Sequence, residues 1–173
     1  MSKTACYLIR KASEHEATRI AGIHVAAWRA AYRGLIPDDY LDSLDPLQRA
    51  VTWKALIGAP EELVMVAVRG TRVAGFCSLQ ASRDPAAPPE IAEISSLYVE
   101  PREWRHGAGS SLVAAAVDHA TKHRFVALTL WVLATNERAR QFYAAAGFEP
   151  DGTEKEDRRL GFPIHELRYR RGL

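Results

Sequence analysis

Two glycines one residue apart, Gly107 and Gly109, stand in the stretch SLYVEPREWRHGAGSSL between an apolar run and an alanine-rich helical pattern. Glycines at a helix start let backbone N–H groups approach an anion with no Cβ in the way. Those N–H groups lack partners inside the helix, and the helix dipole gives them partial positive charge. Together they make a phosphate cradle, with Arg102, Arg105 and His106 beside it as further donors. Ser110-Ser111 stands where a P-loop has Lys-Ser/Thr, and Leu112 stands where the dinucleotide fingerprint has its third glycine. The residues therefore suit a phosphate held without γ-phosphate chemistry; the plainer alternative is a pair of glycines that only turns the chain into a helix. A second group lies in ATNERARQFYAAAGFEPDG, where Asn136 joins a strand to a helix, Tyr143 falls in mid-helix and Gly147-Phe148 follow.

The elements that must position these groups can be read from periodicity. ACYLIRKA, Ala5 to Ala12, is strand-like, and the segment from Ser13 or Glu14 to Gly34 is helical, with Ile20, Ile23, His24, Ala27 and Ala31 at helical spacing. A short helix opens at Pro37-Asp38-Asp39, and another runs from an Asp45 cap to Gly58. Two strands flank a turn at Arg69-Gly70-Thr71, and RDPAAPP, Arg83 to Pro89, is a surface loop. EIAEISSLYVEP is a strand whose alternation breaks at Ser95-Ser96, the mark of a β-bulge, and Pro101 stops it. A helix with a Leu112, Val113, Ala116, Val117, Ala120 stripe follows, then the doubly buried strand FVALTLWVLA, the Asn136 helix and two polar strands around Arg159-Leu160-Gly161-Phe162. Residues 91–133 should form a parallel strand–helix–strand unit with a right-handed crossover. The expected fold is one α/β domain over residues 1–173, a mixed sheet.

The two motifs, in this order and spacing, resemble the GNAT superfamily of acyl-CoA-dependent N-acetyltransferases, over most of the chain. The family's Gln/Arg-x-x-Gly-x-Gly/Ala motif is matched at Gly107 and Gly109, whereas its Gln/Arg position holds Trp104. The later Asn-then-Tyr motif is matched in NERARQFYAAAGF. The resemblance implies a centrally splayed sheet of about seven strands flanked by four or so helices. It implies acetyl-CoA as co-substrate, its pantetheine arm along the backbone of Leu97, Tyr98 and Val99 and its pyrophosphate on the N–H groups of Arg105, His106, Gly107, Ala108, Gly109 and Ser110. Asn136 would bond to the arm or cap its helix. Tyr143 would protonate the departing thiolate, or fill a core position on its helix. Glu93 is the candidate base, in surroundings expected to be apolar, or else a solvated strand residue. Trp28, Tyr32 and Tyr40 would wall the pocket for a small-molecule or peptide amine, or else pack the early helices together. A non-catalytic acyl-CoA sensor on the same scaffold is the alternative to an enzyme.

Composition narrows the remaining classes. A chain of 173 residues with net charge +2 is not a nucleic-acid binder by charge, and it can bury a core without disulfides. The basic end, RRLGFPIHELRYRR, reads as the solvated face of edge strands rather than an RNA surface. Two cysteines, Cys6 and Cys77, suit a reducing cytoplasm, and Cys77 in an apolar strand makes a poor nucleophile. The N-terminus meets charge before any long apolar run, so no signal peptide is expected. No apolar run approaches the ~18 residues of a membrane helix. His119 and His123 lack the Glu and third ligand of a zinc-protease site, so no metal is expected, and no Gly-x-Ser-x-Gly elbow occurs. The last strands and the aromatic early helices are candidate surfaces for a homodimer.

Overall fold

The computed structural model describes residues 6–173; Ala5, at the head of the expected first strand, and the start of the charged N-terminus lie outside the described residues. Four strands pair antiparallel in chain order: β1 (Leu8–Lys11), β2 (Leu63–Arg69), β3 (Arg72–Ala81) and β4 (Ile91–Val99). β5 (Ala127–Leu133) lies parallel to β4, and β7 (Ile164–Gly172) is inserted between β5 and β6 (Glu149–Asp157). Helices α1 (Ala17–Tyr32), α2 (Asp38–Ser43) and α3 (Pro46–Gly58) precede β2. α4 (Ala108–Lys122) connects β4 to β5, and α5 (Glu137–Ala145) connects β5 to β6. The mixed α/β sheet of seven strands is as expected. One expectation changes: only β6 of the last pair is an edge strand, because β7 hydrogen-bonds to both β5 and β6.

Helices cover both faces, which is why LVMVAVR reads as an almost unbroken apolar run. The period of two divides β2 between two cores. Met65 and Ala67 join Leu112, Val113 and Ala116 of α4, while Val64, Val66 and Val68 join Ile20, Ile23 and Trp53 of α1 and α3. Fully buried Phe76 and Leu128 each contribute about 2–3 kcal/mol by removal from water. A third, smaller cluster around Val25 and Leu41 packs against Trp28, Tyr40 and Phe162 and ties the early helices to the β6–β7 turn.

The feature that matters for function is where the sheet opens. β4 and β5 pair only through Ile91, Ala92 and Glu93 with Ala127, Leu128 and Thr129. Beyond Glu93 each strand keeps its outer neighbour, β4 to Gly75 on β3 and β5 to Glu166 on β7. Just past the split, the β3–β4 register slips between Ser78↔Ser96 and Leu79↔Ile94, which leaves Ser95 as the extra residue of a bulge. The break in alternation at Ser95-Ser96 reflects this. Two facing strand edges are thus left without ladder partners, and buried backbone polar groups require partners from somewhere.

Candidate active site

The opening between β4 and β5 is one of three adjoining spaces. A groove of about 470 Å³ runs past Gly107, Gly109 and Ser110 to Leu97, Val99 and Tyr143. A narrow channel of about 120 Å³ continues through the split between Leu97, Tyr98, Trp131, Asn136 and Tyr143. A chamber of about 390 Å³ lies beyond it, walled by His24, Trp28, Tyr32, Tyr98 and Trp131. Tyr143 belongs to both groove and channel, and Ser95 to both channel and chamber.

The groove ends at the start of α4. Gly107, the N-cap, has φ of 95°, a left-handed conformation that glycine adopts freely. Ser111 N–H donates to Gly107 O at 3.0 Å, so the N–H groups of Ala108, Gly109 and Ser110 precede the helix's own ladder. Gly109 is held to glycine by packing, because a Cβ there would lie 3.2 Å from the Phe142 ring. Trp104 Nε1–H donates to Val99 O at 2.8 Å, and the Arg138 guanidinium stacks 3.6 Å from the Trp104 ring centre. Burial, then the charge of Arg105, lowers the Arg138 pKa from its ordinary value.

At the other end, the His24 ring stacks on Tyr98 with centroids 4.9 Å apart, and Trp28 meets Tyr32 edge-on at 5.1 Å. Among the described residues three cations line the chamber, each paired with an acid: Arg83 with Glu93 at 2.6 Å, Lys155 with Glu166 at 3.4 Å and Arg159 with Asp157 at 2.5 Å. The chamber is therefore aromatic and charge-balanced. Hydrogen bonds from Arg159 bring Asp157 down to about 2.

The family model described as "Acetyltransferase (GNAT) family" matches residues 25–148. The chain belongs to the GNAT acetyltransferase family. It is an acyltransferase of that family. Its similarity to an "Uncharacterized N-acetyltransferase YuaI" of Bacillus subtilis (strain 168) is 29% identity, covering 90% of this chain and 92% of the relative. To a "Probable N-acetyltransferase Rv2775" of Mycobacterium tuberculosis H37Rv it is 28% identity over 83% of this chain and 80% of that one. The fold resembles PaiA N-acetyltransferase of Thermoplasma acidophilum in complex with coenzyme A, with TM-score 0.76 and 19% identity over 97% and 99% of the two chains. It also resembles yncA of Salmonella typhimurium with acetyl-CoA, with TM-score 0.71 and 20% identity over 97% and 94%.

Within this GNAT chain the residues singled out from sequence fall into different places. Leu97, Val99, Arg105, Gly107, Gly109, Ser110 and Tyr143 line the groove. Ala108 is buried in the core and has only its backbone to offer, and exposed His106 stands outside the groove wall. Asn136 lines the channel and also caps α5, accepting from Ala139 N–H at 3.2 Å. The Tyr98 side chain walls channel and chamber, opposite to Leu97 and Val99, as the strand period demands. Trp28 and Tyr32 line the chamber, whereas Tyr40 stands behind them against Phe162, 5.2 Å between ring centres. The surroundings of Glu93 are not apolar: Arg83 donates to one carboxylate oxygen through its side chain at 2.6 Å and to the other through its backbone N–H at 3.0 Å.

Sequence reasoning missed Arg138, Trp131 and Lys155. Arg138 does leave a trace, because a cation in the first turn of a helix opposes the dipole and needs another purpose. Trp131 on β5 and Lys155 on β6 meet across the intervening β7, 4.0 Å from ammonium to ring centre.

His24 supplies a pH dependence. Trp53 Nε1–H donates to His24 Nδ1 at 3.0 Å, so the ring is neutral with its proton on Nε2. Burial, then the charge of Arg49, lowers its pKa to about 3. An unfolded histidine takes up a proton near pH 6.5 while the folded one does not, so stability is complete above 6.5 and falls as the pH drops towards 3. The expected loss is about 2 kcal/mol between pH 6.5 and 5. Urea midpoints at pH 7 and pH 5 check this: the difference should shrink in His24→Gln, and an unchanged difference assigns the pH dependence elsewhere.

Proposed function

We propose that this GNAT-family acyltransferase transfers the acetyl group of acetyl-CoA to a primary amine by direct attack of the amine on the thioester. The observation that carries the reading is the succession of groove, channel and chamber at the sheet opening, neighbours sharing wall residues, with Tyr143 where groove meets channel. The free amides at the start of α4 and the nearby Arg138 and Arg105 suit a diphosphate, and the unpaired edge of β4 suits the amides of the pantetheine arm. An N–H of the bulged strand near Leu97 or Val99 would polarise the thioester carbonyl. The neutral phenol of Tyr143, whose pKa burial pushes up, stands where the thiolate departs.

The chamber suits a small amine entering as an ammonium ion. Aromatic faces attract the cation. Glu93 would not serve as the base, because Arg83 already occupies both of its oxygens.

The test is thiol release from acetyl-CoA over a panel of methionine, spermidine, benzylamine and an alanine-initiated peptide, with calorimetry of acetyl-CoA alone. Turnover of at least one amine is expected. Tight acetyl-CoA binding with a flat panel refutes the primary-amine reading, and no binding refutes the groove assignment. With a turned-over amine, Trp28→Ala should raise the amine KM roughly tenfold, the loss of one desolvated cation–π face, and leave acetyl-CoA affinity unchanged. An unchanged amine KM places the acceptor elsewhere.

A further inference from the structure

A second carboxylate lies behind the bulge and is used by nothing described above. Glu62, in the turn before β2, is 6% exposed and has no cation partner among the described residues. Its Oε1 accepts from Ser95 Oγ at 3.1 Å and from the fully buried Ser78 Oγ. Ser95 is the bulge residue that lines both channel and chamber, whereas Glu62 lines neither. A hydroxyl thus faces the place where amine meets thioester and is backed by a buried carboxylate with no cation beside it among the described residues.

We infer that Ser95 and Glu62 form the relay that takes the proton from the incoming ammonium group, with Ser95 as the residue that touches it and Glu62 as the positioning residue and final acceptor. This rests on the N-acetyltransferase reading. The ammonium N–H donates to Ser95 Oγ while Ser95 Oγ–H passes to Glu62 Oε1, leaving a free amine, an intact serine and a neutral Glu62. The amine lone pair then attacks the thioester carbon, the C–N bond forms, the C–S bond breaks, the Tyr143 hydroxyl protonates the thiolate, and the second proton on nitrogen returns to Tyr143. Glu62 returns its proton to solvent between turnovers.

The charged and titratable groups around the relay favour this assignment over Glu93. On β4, Glu93 is engaged by Arg83 at both oxygens. On β3, burial and then the charge of Glu62 push the Cys77 thiol up to about 12, so it stays neutral and does not compete. From α5, the Tyr143 phenol is also raised by burial and keeps its proton.

The test is the pH profile of kcat/KM from pH 6 to 10 for wild type, Glu62→Gln and Ser95→Ala, with acetyl-CoA and whichever panel amine is turned over. Glutamine keeps the shape and the acceptor oxygen for both serines but cannot take a proton. With the relay gone, the rate should follow the fraction of free amine, whose pKa is near 10.4 for an alkylamine such as lysine. The deficit is expected to be about 100-fold at pH 7 and to fade towards pH 10. Hydroxylamine, unprotonated at neutral pH, should be acetylated by both variants within about threefold of wild type, an effect well short of one acid–base step. A deficit that is constant with pH, or equal for hydroxylamine and the alkylamine, marks a structural role and overturns the relay. If Glu62→Gln does not fold, Ser95→Ala carries the same two readouts and decides alone. A wild type that turns over no amine overturns the N-acetyltransferase reading and the relay together, whereas wild-type turnover with unaffected variants overturns the relay only.

Discussion

Tyr143→Phe should lower kcat by about 100-fold or more while leaving the affinity for acetyl-CoA within a factor of about two, the signature of a lost proton donor rather than a lost contact. The ring sits between Phe142 and Phe148, at centroid distances of 5.2 and 6.0 Å, and phenylalanine keeps both contacts. Only the hydroxyl at the junction of groove and channel is removed. Burial pushes the phenol above its ordinary value of 10, with the nearby Tyr98 and Cys77 adding to the effect. The donor form therefore persists through neutral and mildly alkaline pH, and wild type should show no alkaline loss of activity from this group below about pH 10. Single-turnover measurement of thiol release, with acetyl-CoA affinity measured separately by calorimetry, distinguishes the outcomes. Wild-type kcat in the phenylalanine variant removes Tyr143 from the chemistry, and a matching loss of affinity makes it a binding residue instead.

What the sequence discloses depends on how local the determinant is. The cradle and the Asn136–Tyr143 pair are legible because each is a few residues long and sits at a helix terminus or on one helix, where spacing alone sets geometry. The Ser95 bulge is legible for the same reason, since a slip in register shows as a break in alternation within one strand. The period of two also fixes the side of Tyr98: with Leu97 and Val99 facing the groove, its phenol has to face the early helices. Arg83 on Glu93 is different. It reaches across from the proline-containing loop, ten residues before the carboxylate, and no periodicity links the two. Glu62 and Ser95 are 33 positions apart and meet only because β2, β3 and β4 stand side by side. Trp131 and Lys155 require knowing that β7 enters between β5 and β6, a topological fact that adjacent hairpin strands do not announce. Chemistry held by one element can be read in advance, and chemistry shared between elements waits for the order of the sheet.

The second large effect is expected at Gly109. Built there, a Cβ lies 3.2 and 3.3 Å from two Phe142 ring carbons and 3.8 Å from Val99 Cγ2, so α4, α5 and β4 converge on the absence of a side chain. Val99 and Phe142 both line the groove. Gly109→Val must therefore push the Phe142 ring into the groove or displace α5, and Tyr143 is the next residue along. Overpacking of this kind costs about 1–3 kcal/mol, which corresponds to a loss of acetyl-CoA affinity of roughly 5- to 150-fold if it falls on the bound state. Gly109→Ala should show the same direction with a smaller loss, and Phe142→Leu in the alanine background should recover part of it by vacating ring volume. Ser110→Ala is the control, because Ser110 is exposed and its proposed contribution is its backbone N–H, which alanine retains. Calorimetric titration of the four variants with acetyl-CoA gives the order. Affinity in Gly109→Val equal to wild type would mean that the coenzyme does not lie along this wall, and the amides at the start of α4 would lose their assigned phosphate.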